Sequence, residues 1–218
     1  MHQLGTLTSR ERIKLAARQE LSDSGILGLR MEVVAEKAKV SVPLIYKYYK
    51  NREGLLTEVL SELYDGDSYE KLAAYVEIFE QMESPTVDDI AILFATVQQG
   101  FRSLDRWKRL QILAASAEIT ELRTRLAAIH LDQQQRVVDF LEIAIRAVGS
   151  KNPEATEESI SAAVALAPPL ASLIMTQSLG SVLDDLVDYE DREAAAEDMK
   201  VLLRLIINAV LTTGNKSS

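Results

Sequence analysis

The sequence predicts an all-α fold of about nine helices, divided into a small basic head and a large acidic body. Three observations carry this. Apolar residues recur at helical spacing along most of the chain, and no run alternates with the period of two that a half-buried strand requires. The helical stretches are separated by Gly, Pro, Ser, Thr, Asp and Asn, the residues that start and stop helices. The charge is also divided. Of a net −9, residues 1–56 hold +4 and residues 57–218 hold −13. A basic end on an acidic body is the distribution expected when only that end meets a polyanion.

At 218 residues the chain can form one large or two small domains and bury a core without staples. It has no cysteine, which excludes disulfides and thiolate metal sites and fits a reducing, cytoplasmic setting. The start lacks the basic and apolar regions of a signal peptide. Ser159 to Leu183 carries no charge over 25 positions. Its serines, Gln177, the Pro168-Pro169 pair and Gly180 read better as a buried helix at a subunit interface than as a membrane span.

The head opens with Thr8 and Glu11, a capping box after a frayed start. The first helix carries Ile13, Ala16, Ala17 and Leu21 on one face and is predicted to end before Gly25. Its basic residues Arg10, Arg12, Lys14 and Arg18 can reach phosphate or simply form a solvated face. Val33, Val34 and Ala38 mark a short second helix. Ser41 is placed to cap a third with its hydroxyl, with Pro43 in the first turn. Leu44, Ile45, Tyr46, Tyr48 and Tyr49 give that helix its bulk, with Ile45 and Tyr49 facing inward. Two short helices, a tight turn and a basic fringe make a helix-turn-helix candidate.

These residues resemble the DNA-binding head of the TetR family of bacterial transcriptional regulators. The likeness runs through Arg12, Ile13, Leu15, Ala16, Ala17, Leu21 and Gly25, then Val33, Ala35, Ala38, Val40, Ser41, Ile45, Tyr46 and Tyr49. It closes with Arg52, Glu53, Leu55 and Leu56. Three positions depart from the family pattern. Lys39 stands where the turn usually has Gly, so a Lys is expected at positive φ. Arg30 replaces a capping Ser or Thr, and Arg52 replaces a Lys. The resemblance implies a DNA-binding domain over 1–52, a helical ligand-binding and dimerisation body over 53–213, and a tail over 214–218. It also places Val42, Pro43 and Leu44 nearest the bases, where apolar groups can touch thymine methyls. Ser41, Tyr46, Lys47, Lys50 and Arg52 are suited to phosphate, although the tyrosines can equally be packing residues.

The body follows in order. From Arg52, Leu55, Leu56, Val59, Leu60 and Leu63 form an inward stripe, with a bend expected at Asp65-Gly66-Asp67. A second amphipathic piece covers Tyr69 to Met82, and Ser84-Pro85-Thr86 starts another helix over Ile90 to Leu104. Asp105 is read as the cap of the next, and Thr120 as the cap of a long helix to about Val148. Gly149 to Pro153 reads as the clearest linker, with Asn152 capping the following helix and Pro168-Pro169 kinking it. An acidic stretch, Asp184 to Asp191, precedes a last helix over Arg192 to Leu211. The last two helices carry more apolar surface than one chain can cover, with alanines 162, 163, 165, 167 and 171 allowing close approach. In the family the corresponding pair forms a four-helix bundle with a second copy, which would present two heads to a palindromic operator.

An enzyme is not expected. The two histidines, His2 and His130, are isolated, and no phosphate loop, metalloprotease or nucleophile-elbow motif occurs. No metal site or cofactor is expected. The family binds small effectors in the body, and Phe94, Gln98, Phe101, Trp107, His130, Phe140, Met175 and Gln177 are candidates to line such a pocket. Each can equally be a core or surface residue. Few basic residues lie within the body helices, which leans the effector toward a hydrophobic or cationic compound. The expected function is a dimeric repressor of transcription, released from double-stranded operator DNA by that effector and without a membrane partner. The alternative is a helical ligand-binding or protein-interaction module without sequence-specific DNA binding.

Overall fold

The computed structural model describes residues 7–65, 70–92, 103–180, 201–202 and 204–209. Every regular element among them is a helix. In the head, α1 is Ser9–Gly28, α2 Met31–Ala38, α3 Val42–Tyr49 and α4 Arg52–Asp65. Beyond it, α5 is Glu70–Gln81, α6 Ser103–Ala115, α7 Thr120–Lys151, α8 Glu157–Val164 and α9 Ala167–Gly180. Residues 87–92, 201–202 and 204–209 are also helical. The expected bend at 66–67, the acidic stretch 184–191, the first residues of the last helix and the tail lie outside the described residues.

The chain divides into two compact units, one of residues up to Asp65 with Gln111–Ile129, the other of the remainder. The sequence-based boundary at 52/53 falls inside the first unit. The reason is that Leu55, Leu56, Val59 and Leu60 share one core with Ile13, Val34, Ile45, Ile112 and Leu122.

Local signals explain the first unit. The capping box forms as predicted: the Glu11 N–H donates to Thr8 Oγ1 at 3.3 Å, and the Thr8 N–H to Glu11 Oε2 at 2.7 Å. Gly25, at φ 71°, breaks α1 where its end was predicted, and one further turn reaches Gly28. Lys39 takes the left-handed conformation, φ 54° and ψ 49°, and its N–H closes α2 on the Ala35 and Glu36 carbonyls. In α4 the predicted stripe fails at its end, where Leu63 is exposed and Tyr64 is buried. The covered face turns around the helix from Leu55 and Leu56 to Ser61 and Tyr64, so a straight stripe does not describe it.

The second unit packs Phe79 edge-on to Phe140 at 5.8 Å, amid Ile90, Leu141, Ile145 and Ile174. Several predicted punctuation marks move. Asp105 lies inside α6 rather than capping it. Helix α7 continues through Gly149, so the linker shrinks to 152–156. A Cβ at Gly149 would meet Ile160 Cγ1 at 2.6 Å, so this glycine permits close packing and does not stop a helix. Asn152 accepts from the Glu154 N–H inside the turn, while Thr156 and Ser159 form the capping box of α8. The break in the uncharged stretch falls at residues 165–166, and Pro168-Pro169 sit in the first turn of α9, where missing N–H groups cost little. By composition Glu157–Gln177 is apolar enough to cross a membrane, with a mean hydropathy of 1.6, but 50% of it is buried inside the body. Of the alanines assigned to a subunit contact, 163, 167 and 171 are buried in this chain's own core, whereas 162 and 165 are exposed.

Candidate nucleic-acid interface

Helix α3 is the element whose side chains are left for a partner. Ile45 and Tyr49, four apart, are buried as the spacing predicts. Pro43, Tyr46, Lys47 and Tyr48 are exposed, and Val42 and Leu44 are half-buried. Ser41 is the N-cap by backbone conformation, but its hydroxyl makes no capping bond, contrary to expectation, and the side chain is exposed. Tyr48 faces outward, its ring 6.3 Å from that of Tyr49.

The end of α3 is anchored tightly. The Tyr49 hydroxyl donates to the Arg10 carbonyl at 3.3 Å, and the Arg10 guanidinium lies 5.8 Å from the centre of the Tyr49 ring. Burial pushes the Tyr49 phenol above its usual range. Lys50 then adopts φ 63° and ψ −52°, and the Asn51 N–H donates back to the Tyr49 carbonyl at 2.7 Å. That is a γ-turn of the rare, strained kind. Asn51 Oδ1 accepts from the Gly54 N–H at 2.7 Å and caps α4.

The charges of the head sort into two groups. Residues 1–56 hold ten lysines and arginines. Five of them pair with carboxylates, and Arg12 and Arg52 bond neutral oxygens. Lys14 and Arg18 pair with Glu62 at 2.5 and 2.7 Å. Arg10 and Arg125 share Glu58 at 2.9 and 3.1 Å. Lys37 bridges Glu20 and Asp23 at 2.8 and 2.7 Å, and Arg30 approaches Glu20 at 3.9 Å. Arg12 bonds Ser9 Oγ. Arg52, predicted for phosphate, spends its fork on the carbonyls of Ile26, Leu27 and Leu29 at 2.7, 3.2 and 3.0 Å, holding the end of α1. Lys39, Lys47 and Lys50 remain, exposed and without an ion pair or side-chain hydrogen bond among the described residues. Lys47 is on α3, Lys50 caps its end, and Lys39 lies in the turn that precedes it. Lys39 is the one the sequence reading left out of the site. The signal for it was the unusual residue in the turn.

The buried carboxylate of this network has a measurable consequence. Hydrogen bonds from Lys37 and then Ser24 hold the Glu20 carboxyl below its ordinary 4.5. Burial works to raise Glu62, but Lys14 and Arg18 outweigh it and lower that group too. A carboxyl lowered in the folded state stabilises above its unfolded pKa, and that stabilisation is lost as pH falls through the folded value. The urea midpoint of unfolding is therefore expected to hold between neutral pH and the onset of titration, then drop once pH falls below the 4.5 of a free glutamate. Glu20→Gln should flatten part of that drop. An identical pH profile in the variant would remove Glu20 from the account.

Five of the residues suggested for an effector pocket are described. Phe94, Gln98 and Phe101 lie outside the described residues. His130 is exposed, Trp107 is half-buried, and Met175 and Phe140 belong to the core of the second unit. Gln177 is half-buried, with its Oε1 buried and unpartnered. An open cleft of about 510 Å³ is lined instead by Pro85, Asp88, Val148, Lys151, Arg204 and Asn208. The sequence reading also missed Gln133, which is buried and accepts from Arg109 Nη2 at 3.3 Å. Its register with Val137 and Leu141 on the inward face of α7 was visible in the sequence.

Residues 13–59 match the family of bacterial regulatory proteins, tetR family. Over these residues the head is similar to that family. Its match covers α2, α3 and their turn in full, together with most of α1 and half of α4. A likeness of fold extends beyond the head. A TetR-family transcriptional regulator from Mesorhizobium loti superposes with a TM-score of 0.58 at 16% identity, covering 93% of this chain and 95% of that one. A transcriptional regulator from Pseudomonas aeruginosa PAO1 gives 0.57 at 15% identity, covering 99% and 97%. GusR of Salmonella enterica gives 0.51 at 17%, covering 95% and 97%. At such identities the likeness is one of fold. No curated protein matches the chain by sequence.

Proposed function

We propose that this chain is a cytoplasmic transcriptional regulator that binds operator DNA through α3 and is released by a small-molecule effector, acting as a repressor. The observation that carries the reading is the charge sorting of the TetR-family head. Of its ten basic residues five pair with carboxylates and two bond neutral oxygens of the head, and the remaining three lysines sit on or beside the helix with the exposed face. An α-helix of this exposure fits the major groove, with Val42, Pro43 and Leu44 against base edges and Tyr46, Lys47 and Lys50 on phosphates. Ser41 can add its free hydroxyl. Arg52 contributes by holding the head together.

A homodimer is part of the same reading. Val201, Leu202 and Leu205 of the last helical segment and Leu173 of α9 are large apolar residues left exposed on one chain. Pairing them with a second copy would present two heads to half-sites roughly 34 Å apart. The effector would prefer the conformation whose heads are spaced wrongly for DNA. It is hydrophobic or cationic on the lean of the sequence, and Trp107, Met175 and Gln177 remain candidates to touch it.

Selection of bound sequences from a random duplex pool tests the reading. An enriched inverted repeat is expected. A folded dimer that enriches nothing would favour the second reading, an interaction module, for which the half-exposed apolar tip Val42-Pro43-Leu44 is the supporting feature.

A further inference from the structure

We infer that Lys39 is a phosphate-binding residue which, with Lys50, brackets α3 and fixes its seat across the groove. The inference rests on the DNA-binding reading above and adds a residue that neither the sequence nor the family pattern assigns. Lys39 and Lys50 are the only non-glycine residues at positive φ among the described residues, at 54° and 63°. Each closes a helix with its own backbone N–H: Lys39 closes α2 on the Ala35 and Glu36 carbonyls, and Lys50 closes α3 on the Tyr46 carbonyl. Their Cα positions are therefore set by helix ends rather than by loose loops. A left-handed backbone disfavours any residue with a Cβ, and glycine is the residue that relieves it. A long cationic side chain held there, exposed and unpaired while the basic side chains of the head other than Lys47 have partners, points to a use outside the fold.

The dimensions suit a bracket. Helix α3 has 8 residues, which makes it about 12 Å long, close to the roughly 12 Å width of the major groove. Lys39 in the turn just before the helix and Lys50 at its end are thus separated by at least its length and can reach phosphates on opposite walls, with Lys47 between them in sequence. Point-like ammonium groups on flexible stems suit this task, since phosphates position the helix without carrying sequence information.

The test is the affinity of the full chain for random-sequence duplex DNA, read by fluorescence anisotropy across salt concentrations, with Lys39→Gly and Lys39→Arg beside the parent. Lys39→Gly is chosen because it removes the charge and relieves the backbone. The expected result is a melting temperature equal to or above that of the parent, with weaker binding. The slope of log affinity against log salt should become shallower by about 0.9 for each head bound. Lys39→Arg should restore the parent slope. A Lys39→Gly slope equal to the parent's, with the parent itself steep, overturns the bracket and leaves the DNA-binding reading standing. A parent with no salt-dependent binding overturns both.

Discussion

Gly54→Ala is expected to destabilise the head by ~3 kcal/mol, the largest effect of any single methyl group in the first unit. The added Cβ would lie 2.1 Å from the Tyr49 carbonyl oxygen, and 3.3 Å from Asn51 Oδ1. The obstacle is backbone, so no rotamer change relieves it. That carbonyl already accepts the Asn51 N–H across the γ-turn at Lys50. Making room means opening the turn and moving the end of α3, where Tyr49 is anchored to Arg10. In thermal unfolding the expected loss corresponds to about 6–12 °C for a chain of this length. DNA binding should weaken with it, because the displaced helix is the one proposed to enter the groove. Gly25→Ala provides the contrast. Gly25 has φ 71° and ψ 176° but nothing within 4 Å of an added Cβ, so only the conformational cost of about 1–3 kcal/mol applies. Equal destabilisation by the two substitutions would mean that the close approach at Gly54 is not the cause.

The same turn shows why the head was more legible than the body. Its signals are short-range: Thr8 with Glu11, Ile45 with Tyr49, and the residue at the α2–α3 turn all act within one helical turn. They do not depend on what the rest of the chain does. The end of α4 does depend on it, and there the reading exchanged Leu63 for Tyr64. Gly149 was read as a stop because a glycine's local meaning is a break. Its actual reason is Ile160, which lies on another helix. The charge sorting was hidden for the same cause. Glu58 and Glu62 look like solvated residues of α4, yet their partners Arg10, Arg18 and Arg125 lie 48, 44 and 67 positions away. Counting charges located the basic end but could not say which charges were already neutralised. That distinction is what concentrates the candidate site on Lys39, Lys47 and Lys50 and moves Arg52 from phosphate contact to support.

Tyr46→Ala combined with Lys47→Ala is expected to abolish operator binding while leaving the fold and the oligomeric state intact. Tyr46 is 43% exposed and Lys47 is exposed, and neither belongs to the core of the first unit. Substitutions at such positions usually shift stability by no more than about 0.5 kcal/mol. The structural cost is therefore small, and a loss of binding cannot be assigned to unfolding. The loss should be large. A hydrogen bond to a charged group contributes about 1.5–3 kcal/mol, and a dimer would lose such contacts at both heads, so affinity should fall by roughly 100-fold or more. The salt slope should fall with it, because Lys47 is proposed to neutralise phosphate. Leu44→Ala separates positioning from reading. It removes a proposed apolar contact to the bases and no charge, so it should change which duplexes are preferred at an unaltered salt slope. An affinity for the selected duplex within threefold of the parent in the Tyr46/Lys47 variant would rule out docking through this face of α3. The exposed tip of the head would then have to serve a partner other than DNA.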